Sequence, residues 1–208
     1  MDDCCEGKAQ GIEQARDAFG RVLWVVLTIN AAMFVAEFGA GLLARSTALR
    51  ADSLDMFGDA SVYALSLYAL NRTVRWRAGA ALGKSLLMAG FGLVVLGDVA
   101  LKVAAGVVPA APLMGAFGAL ALAANMTCAL LLLRFRAGEI DMRSTWLCSR
   151  NDVPANLGVL LAAGLVAFTQ SPWPDVAIGL LIAGVFLHSA LACSGSPGSP
   201  RSSACHPR

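Results

Sequence analysis

The chain alternates long apolar stretches with short polar links. A spanning helix needs about 20 mostly apolar residues. Six stretches meet that length, over roughly 21–44, 48–70, 80–104, 112–133, 145–168 and 173–193. They are too long and too uniformly apolar for the strands of a membrane barrel, so helices are the structure that satisfies their backbone in lipid. "ARST" joins the first pair. "TQSPWPD" joins the last pair, with two prolines that end one helix and start the next. The pattern predicts an all-α membrane protein, a six-transmembrane-helix bundle.

Basic residues orient it. Lys8, Arg16 and Arg21 precede the first stretch, Arg72, Arg75 and Arg77 follow the second, and Arg134, Arg136 and Arg143 follow the fourth. Arg201 and Arg208 are in the tail, while the opposite links hold only Arg45, Arg50 and Lys102. Both termini are therefore expected in the cytoplasm, in a multi-pass protein of the inner or plasma membrane. The expected organisation is a cytoplasmic segment over 1–20, the six-helix domain over 21–193, and a Gly/Ser/Pro-rich disordered tail over 194–208 with no folded soluble domain after the bundle.

Composition agrees. The chain is 57% hydrophobic and 14% charged, where a soluble domain carries about a quarter charged residues. Its mean hydropathy is +0.66. The net charge of +2 gives no reason to expect nucleic-acid binding. The six cysteines include an adjacent pair and two in apolar stretches, which is not a secreted disulfide framework. The acidic N-terminus is not a cleavable signal peptide.

Against this background the stretch "RADSLDMFGDA" stands out, with Asp52, Asp55 and Asp59 in an apolar segment. The segments also hold Glu37, Asp98, Asp152, Asn30, Asn125, Asn151 and Asn156. Ionisable groups in a membrane mark ion or proton pathways, whereas amides there commonly bridge helices. Asp55 and Asp59, at i and i+4, share one helix face and repel each other, so a cation or protons must neutralise them. In the fifth segment Cys148 and Asp152 have the same spacing. Two such pairs on adjacent helices supply one thiolate and three carboxylates, a four-ligand set for a divalent cation with tetrahedral geometry available.

With these motifs the sequence resembles the cation diffusion facilitators, proton-coupled exporters of divalent metals. The likeness runs over about residues 21–193 and includes "NAAMFVAEFGAG", "STALRADSLDMFGD" and the C-x-x-x-D of the fifth segment. Asp55 and Cys148 stand where the family commonly has His, while Asp59 and Asp152 match directly. Asp98 falls where the third helix often carries an acid, and Asn125 where the fourth often carries an Asn. The departures are the two missing histidines, Pro154 just past Asp152, and the family's cytoplasmic metal-binding domain and His-rich loop, both of which are missing.

The resemblance implies a transporter, not an enzyme, working by alternating access, with no permanently bound cofactor and a homodimeric assembly. Metal displaces protons from the site, and returning protons eject it. The thiolate favours Zn²⁺ or Cd²⁺, leaving Co²⁺, Pb²⁺, Fe²⁺ and Mn²⁺ open. Asn156, Asp52, Glu37 and Asp98 are candidate further ligands or relays, with helix packing as their alternative. Cys4 and Cys5, beside three acids, are a candidate cytoplasmic capture site or a frayed terminus. A non-transporting metal-sensing or assembly partner on the same fold is the alternative. A thiol-redox protein is disfavoured, because no C-x-x-C is present, and two histidines are too few for haem between helices.

Overall fold

The computed structural model describes residues 2–69, 74–136 and 140–194, apart from some helical side chains that include those of Cys4, Cys5 and Cys148. Among these residues the structure is all helical, with six helices and no strand. They are α1 (Asp2–Ala44), α2 (Thr47–Ala69), α3 (Val74–Ala105), α4 (Ala111–Leu133), α5 (Ile140–Thr169) and α6 (Trp173–Ser194). Number and order follow the six apolar stretches. Three helices start earlier than hydropathy alone suggests. α1 runs from Asp2 because residues 2–20 are polar yet rich in Ala, Gln, Glu, Lys and Arg, which favour helix whatever their polarity. The tail expected to be disordered lies, past Ser194, outside the described residues.

Among the described residues, three helical segments are long and apolar enough to cross a membrane: Asp17–Ala44, Ala111–Leu133 and Asp152–Thr169. α2 differs because Arg50 and three aspartates interrupt its apolar character. The distribution of polarity is inverted relative to a water-soluble bundle. Leu43, Leu86, Leu101 and Phe168 are each more than 70% exposed, while Glu37, Asp52, Asn156 and Asp175 are each at most 1% exposed. A surface of that kind is matched to lipid rather than water, and the chain is a membrane protein.

α2 is the centre of the bundle. It packs on α1, α3, α5 and α6 and touches α4, while α4 closes against α1 and α5, and α3 pairs with α6. One apolar cluster, with Leu49, Leu54, Val95, Val159, Ile182 and Phe186, joins α2, α3, α5 and α6. A second, with Leu23, Tyr63, Cys128 and Leu132, joins α1, α2 and α4. It includes an edge-on contact of Phe19 with Phe135, ring centroids 5.1 Å apart. Two glycines let other helices reach the start of α2. A Cβ on Gly41 of α1 would lie 2.6 Å from Arg50 Cγ, and one on Gly179 of α6 would lie 2.7 Å from Thr47 Cγ2. Any side chain there would force the helices apart.

The junction between α1 and α2 is held by polar groups from four helices. Arg45 turns the chain with φ 52°, and the Ser46 N–H donates to Gly41 O at 3.0 Å. Ser46 is the N-cap of α2, its Oγ accepting the Leu49 N–H at 3.0 Å. Asp175 of α6 accepts the N–H groups of Thr47 at 2.8 Å and Ala48 at 3.2 Å, together with the Ser46 hydroxyl. Its charge is met by Lys102 of α3, which also donates to Arg45 O at 2.6 Å. Beside it, Asp98 of α3 pairs with Arg50 at 2.5 Å and accepts the Thr47 hydroxyl at 2.6 Å. Every first-turn donor of α2 that these groups reach would otherwise be an orphan in a dry interior.

Removing the acid of the Lys102–Asp175 pair leaves a buried ammonium unpaired, a loss of about 3–5 kcal/mol. Asp175→Asn is therefore expected to lower the unfolding temperature of the detergent-solubilised protein sharply. Lys102→Met added to it should recover part of the loss. Strictly additive losses, followed by scanning fluorimetry, would show that the two residues do not act as a pair.

Candidate functional site

Asp52, Asp55, Asp59 and Tyr63 are spaced at i, i+3, i+7 and i+11. At about 100° per residue they fall within an arc of about 80° along some 16 Å of α2. Asp52 and Asp59 are buried and Asp55 is half-buried. Neighbouring helices meet this stripe at two levels.

At the level of Asp52, the Asn156 Nδ2 of α5 donates to Asp52 Oδ2 at 2.6 Å. The Asn156 Oδ1 in turn accepts from Asn125 Nδ2 of α4 at 2.9 Å. The Glu37 carboxyl of α1 lies within hydrogen-bonding reach of Asp52 and in the field of Asp55. Neither Glu37 oxygen has a donor, and the residue is 0% exposed. Two carboxyl groups facing each other in such surroundings need a proton or a cation between them. Four helices thus converge on Asp52. The sequence marks it only as a candidate further ligand or relay, and it shares the stripe of Asp55 and Asp59.

At the level of Asp59, the Tyr63 hydroxyl donates to Asp59 Oδ2 at 3.0 Å. Tyr63 is fully buried and lies within electrostatic reach of Asp59, of Asp152 on α5 and of Cys128 on α4. Asn30 of α1 donates to Cys128 Sγ at 3.6 Å. Asp59 and Asp152, one from each expected ligand pair, are therefore both within electrostatic reach of one tyrosine. Cys148 is one turn before Asp152 on α5, and its side chain lies outside the described residues. Among the described residues no group of three or more His, Cys, Asp or Glu is close enough to hold a metal ion.

The remaining candidates fall elsewhere. Asp98 is committed to Arg50 and Thr47 at the α1–α2 junction. Asn156 links Asp52 to Asn125. Cys4 and Cys5 are near the start of α1, about 48 Å along the helix from Glu37 at 1.5 Å per residue. Pro154 does not break α5, which continues from Ile140 to Thr169, but it denies Arg150 O its helical donor. Tyr63 and Cys128 were given no role by the sequence, and Asn30 was noted only among the amides of the apolar segments. The available signals were spacings: Tyr63 is at i+4 from Asp59, and Cys128 at i+3 from Asn125.

A membrane bundle whose interior helix carries a carboxylate stripe, met by acids and amides from its neighbours, has the layout of an ion-translocating protein. The chain belongs to the cation efflux family, whose transmembrane domain matches residues 23–194. It is 25% identical over 174 residues to the metal cation efflux system protein CzcD of Cupriavidus metallidurans and to the cation efflux system protein CzcD of an Alcaligenes species. Each alignment covers 78% of this chain and 55% of the relative, so the chain spans about half the length of these relatives.

Asn156→Leu removes a donor from Asp52 and an acceptor from Asn125 at once. Each buried group left unsatisfied costs about 1–3 kcal/mol. A lowered unfolding temperature in detergent is expected, with Asn156→Gln, which keeps the amide, less affected than Leu. Equal stability of Asn156→Leu and the parent would remove the amide from this structural role.

Proposed function

We propose that the chain exports divalent heavy-metal cations across the cell membrane in exchange for protons. In this reading all six helices cross the bilayer, both termini are cytoplasmic, and the protein works as a homodimer joined through its membrane helices. The observation that carries the reading is the stripe of Asp52, Asp55 and Asp59 along one face of the central helix, with Asp59 bonded to Tyr63. Membership of the cation efflux family and the names of the CzcD proteins support it.

Asp55, Asp59, Cys148 and Asp152 bind the ion, each carboxylate or thiolate exchanging a proton for metal. The Glu37–Asp52 pair, with Asn156 and Asn125, stands one turn further along α2 as the next polar station. One thiolate among carboxylates places Zn²⁺ and Cd²⁺ ahead of Co²⁺, Pb²⁺, Fe²⁺ and Mn²⁺. Cys4 and Cys5 collect soft metal at the cytoplasmic end.

Metal uptake into proteoliposomes with an imposed pH gradient tests the reading. The parent should take up Zn²⁺ and Cd²⁺, and collapsing the gradient with a protonophore should slow it. Asp59→Ala and Asp152→Ala should each lose at least about tenfold, the loss typical even of outer-shell groups around a metal. Uptake equal to the parent in both variants would refute the ligand set. Asp55→His, which introduces an imidazole, should shift preference toward Zn²⁺ over Mn²⁺ in the same assay.

A further inference from the structure

Basic residues are scarce at the end of the bundle where α1 meets α2 and α3 meets α4, and they converge there. Arg45, Arg50 and Lys102, together with Asp98, Leu42 and Leu101, line one open cleft of about 220 Å³. The cleft stands where the apolar span Asp17–Ala44 ends and the span Ala111–Leu133 begins. Lipid headgroups lie at that level of a bilayer.

The charges around the cleft do not cancel. Asp98 is paired with Arg50 at 2.5 Å, and Asp175 with Lys102. Arg45 is exposed and has no ion-pair partner among the described residues. One positive charge is therefore left over. Arg50 also donates to Ser46 O at 3.2 Å, and its guanidinium carries five N–H donors in all. The backbone of Arg45 adds to this. It occupies the left-handed position that closes α1, φ 52°, a place usually given to Gly, as α3 gives it to Gly106. A basic side chain near a helix C-terminus offsets the helix dipole. That role could be filled within the last turn of α1, where the backbone is unstrained, yet that turn holds no basic residue.

The walls of the cleft continue into apolar exterior surface, and Leu42 and Leu101 are each more than half exposed. A free anion would use the spare charge and leave that apolar wall without a purpose. A phospholipid uses both.

We propose that the cleft binds the headgroup of an anionic phospholipid. Arg45 holds the phosphate, Arg50 supports it from within the cleft, and the acyl chains lie over Leu42 and Leu101. The spare positive charge favours a headgroup such as phosphatidylglycerol, whose phosphate has no ammonium of its own. A phosphatidylcholine headgroup brings its own cation and leaves the spare charge unmet. The bound lipid steadies the turn into α2, because Arg45 also offers its carbonyl to Lys102 at 2.6 Å. The proposal rests on the membrane bundle and is independent of the metal ligands.

The test heats the full chain in detergent micelles with increasing phosphatidylglycerol, phosphatidylcholine or inorganic phosphate, and follows unfolding by scanning fluorimetry. Phosphatidylglycerol should raise the unfolding temperature, as a ligand of the folded state does, and the other two should raise it less at equal concentration. Arg45→Gly suits the left-handed backbone, so without lipid it should be at least as stable as the parent. It should need about fivefold more phosphatidylglycerol for the same shift, the factor set by one basic side chain at an anionic surface. Arg45→Lys, which keeps the charge, should retain most of the response. Arg136→Gln, which removes an exposed charge beyond the other end of α4, should respond like the parent. The proposal falls if phosphatidylcholine or inorganic phosphate stabilises as well as phosphatidylglycerol, or if Arg45→Gly keeps the parental response. It falls also if Arg45→Lys or Arg136→Gln loses as much of the response as Arg45→Gly, since the charge at this cleft would then not be what the lipid reads.

Discussion

The Asp175 carboxylate accepts the first free backbone N–H groups of α2 and is balanced by Lys102, in a place almost closed to solvent. This arrangement fixes where α2 begins. Because a helix turns by a constant angle per residue, fixing its first turn fixes the direction of every side chain after it. The faces presented by Asp52, Asp55, Asp59 and Tyr63 therefore depend on an ion pair contributed by α3 and α6. Gly41 and Gly179 complete the constraint by letting α1 and α6 reach that first turn at backbone distance.

The interior of the bundle follows one rule. Interior acids are given specific neighbours: Asn156 for Asp52, Tyr63 for Asp59, and Arg50 for Asp98 of α3. Among the described residues the buried groups left over are the Glu37 carboxyl and Asn30 Oδ1, both from α1. A polar group is tolerated in a dry interior when it is satisfied, and the unsatisfied ones collect where a cation or proton is expected.

Much of the fold was legible in the sequence because lipid imposes a coarse pattern of long apolar runs and short links. The placement of Asp55 and Asp59 on one face of α2 was legible, because it follows from their i, i+4 spacing alone. The bond between Asp52 and Asn156 was not, since the two are 104 residues apart and only the packing of α2 on α5 brings them together. Lys102 and Asp175 read as loop charges, because nothing local announces a pairing across 73 residues. Cys128 was hidden for a different reason. In "NMTCALLLL" a thiol cannot be told from a small apolar side chain until its neighbours are known. The early start of α1 was missed because hydropathy reports preference for lipid, whereas helix propensity carries the chain on through polar residues.

The two helices that carry the expected ligands differ in stiffness. α2 is clamped at its first turn and tied by side-chain hydrogen bonds along its striped face. α5 contains Pro154, so the carbonyl of Arg150 has no helical donor, and the turn from Cys148 to Asp152 is held by one backbone bond fewer than an uninterrupted helix provides. In mechanical terms, compliance is concentrated in one jaw of the vice while the other is rigid. Under the proposed ligand set, a pair of jaws built that way would close on ions of different radius by moving a single turn, leaving the rest of the bundle in place.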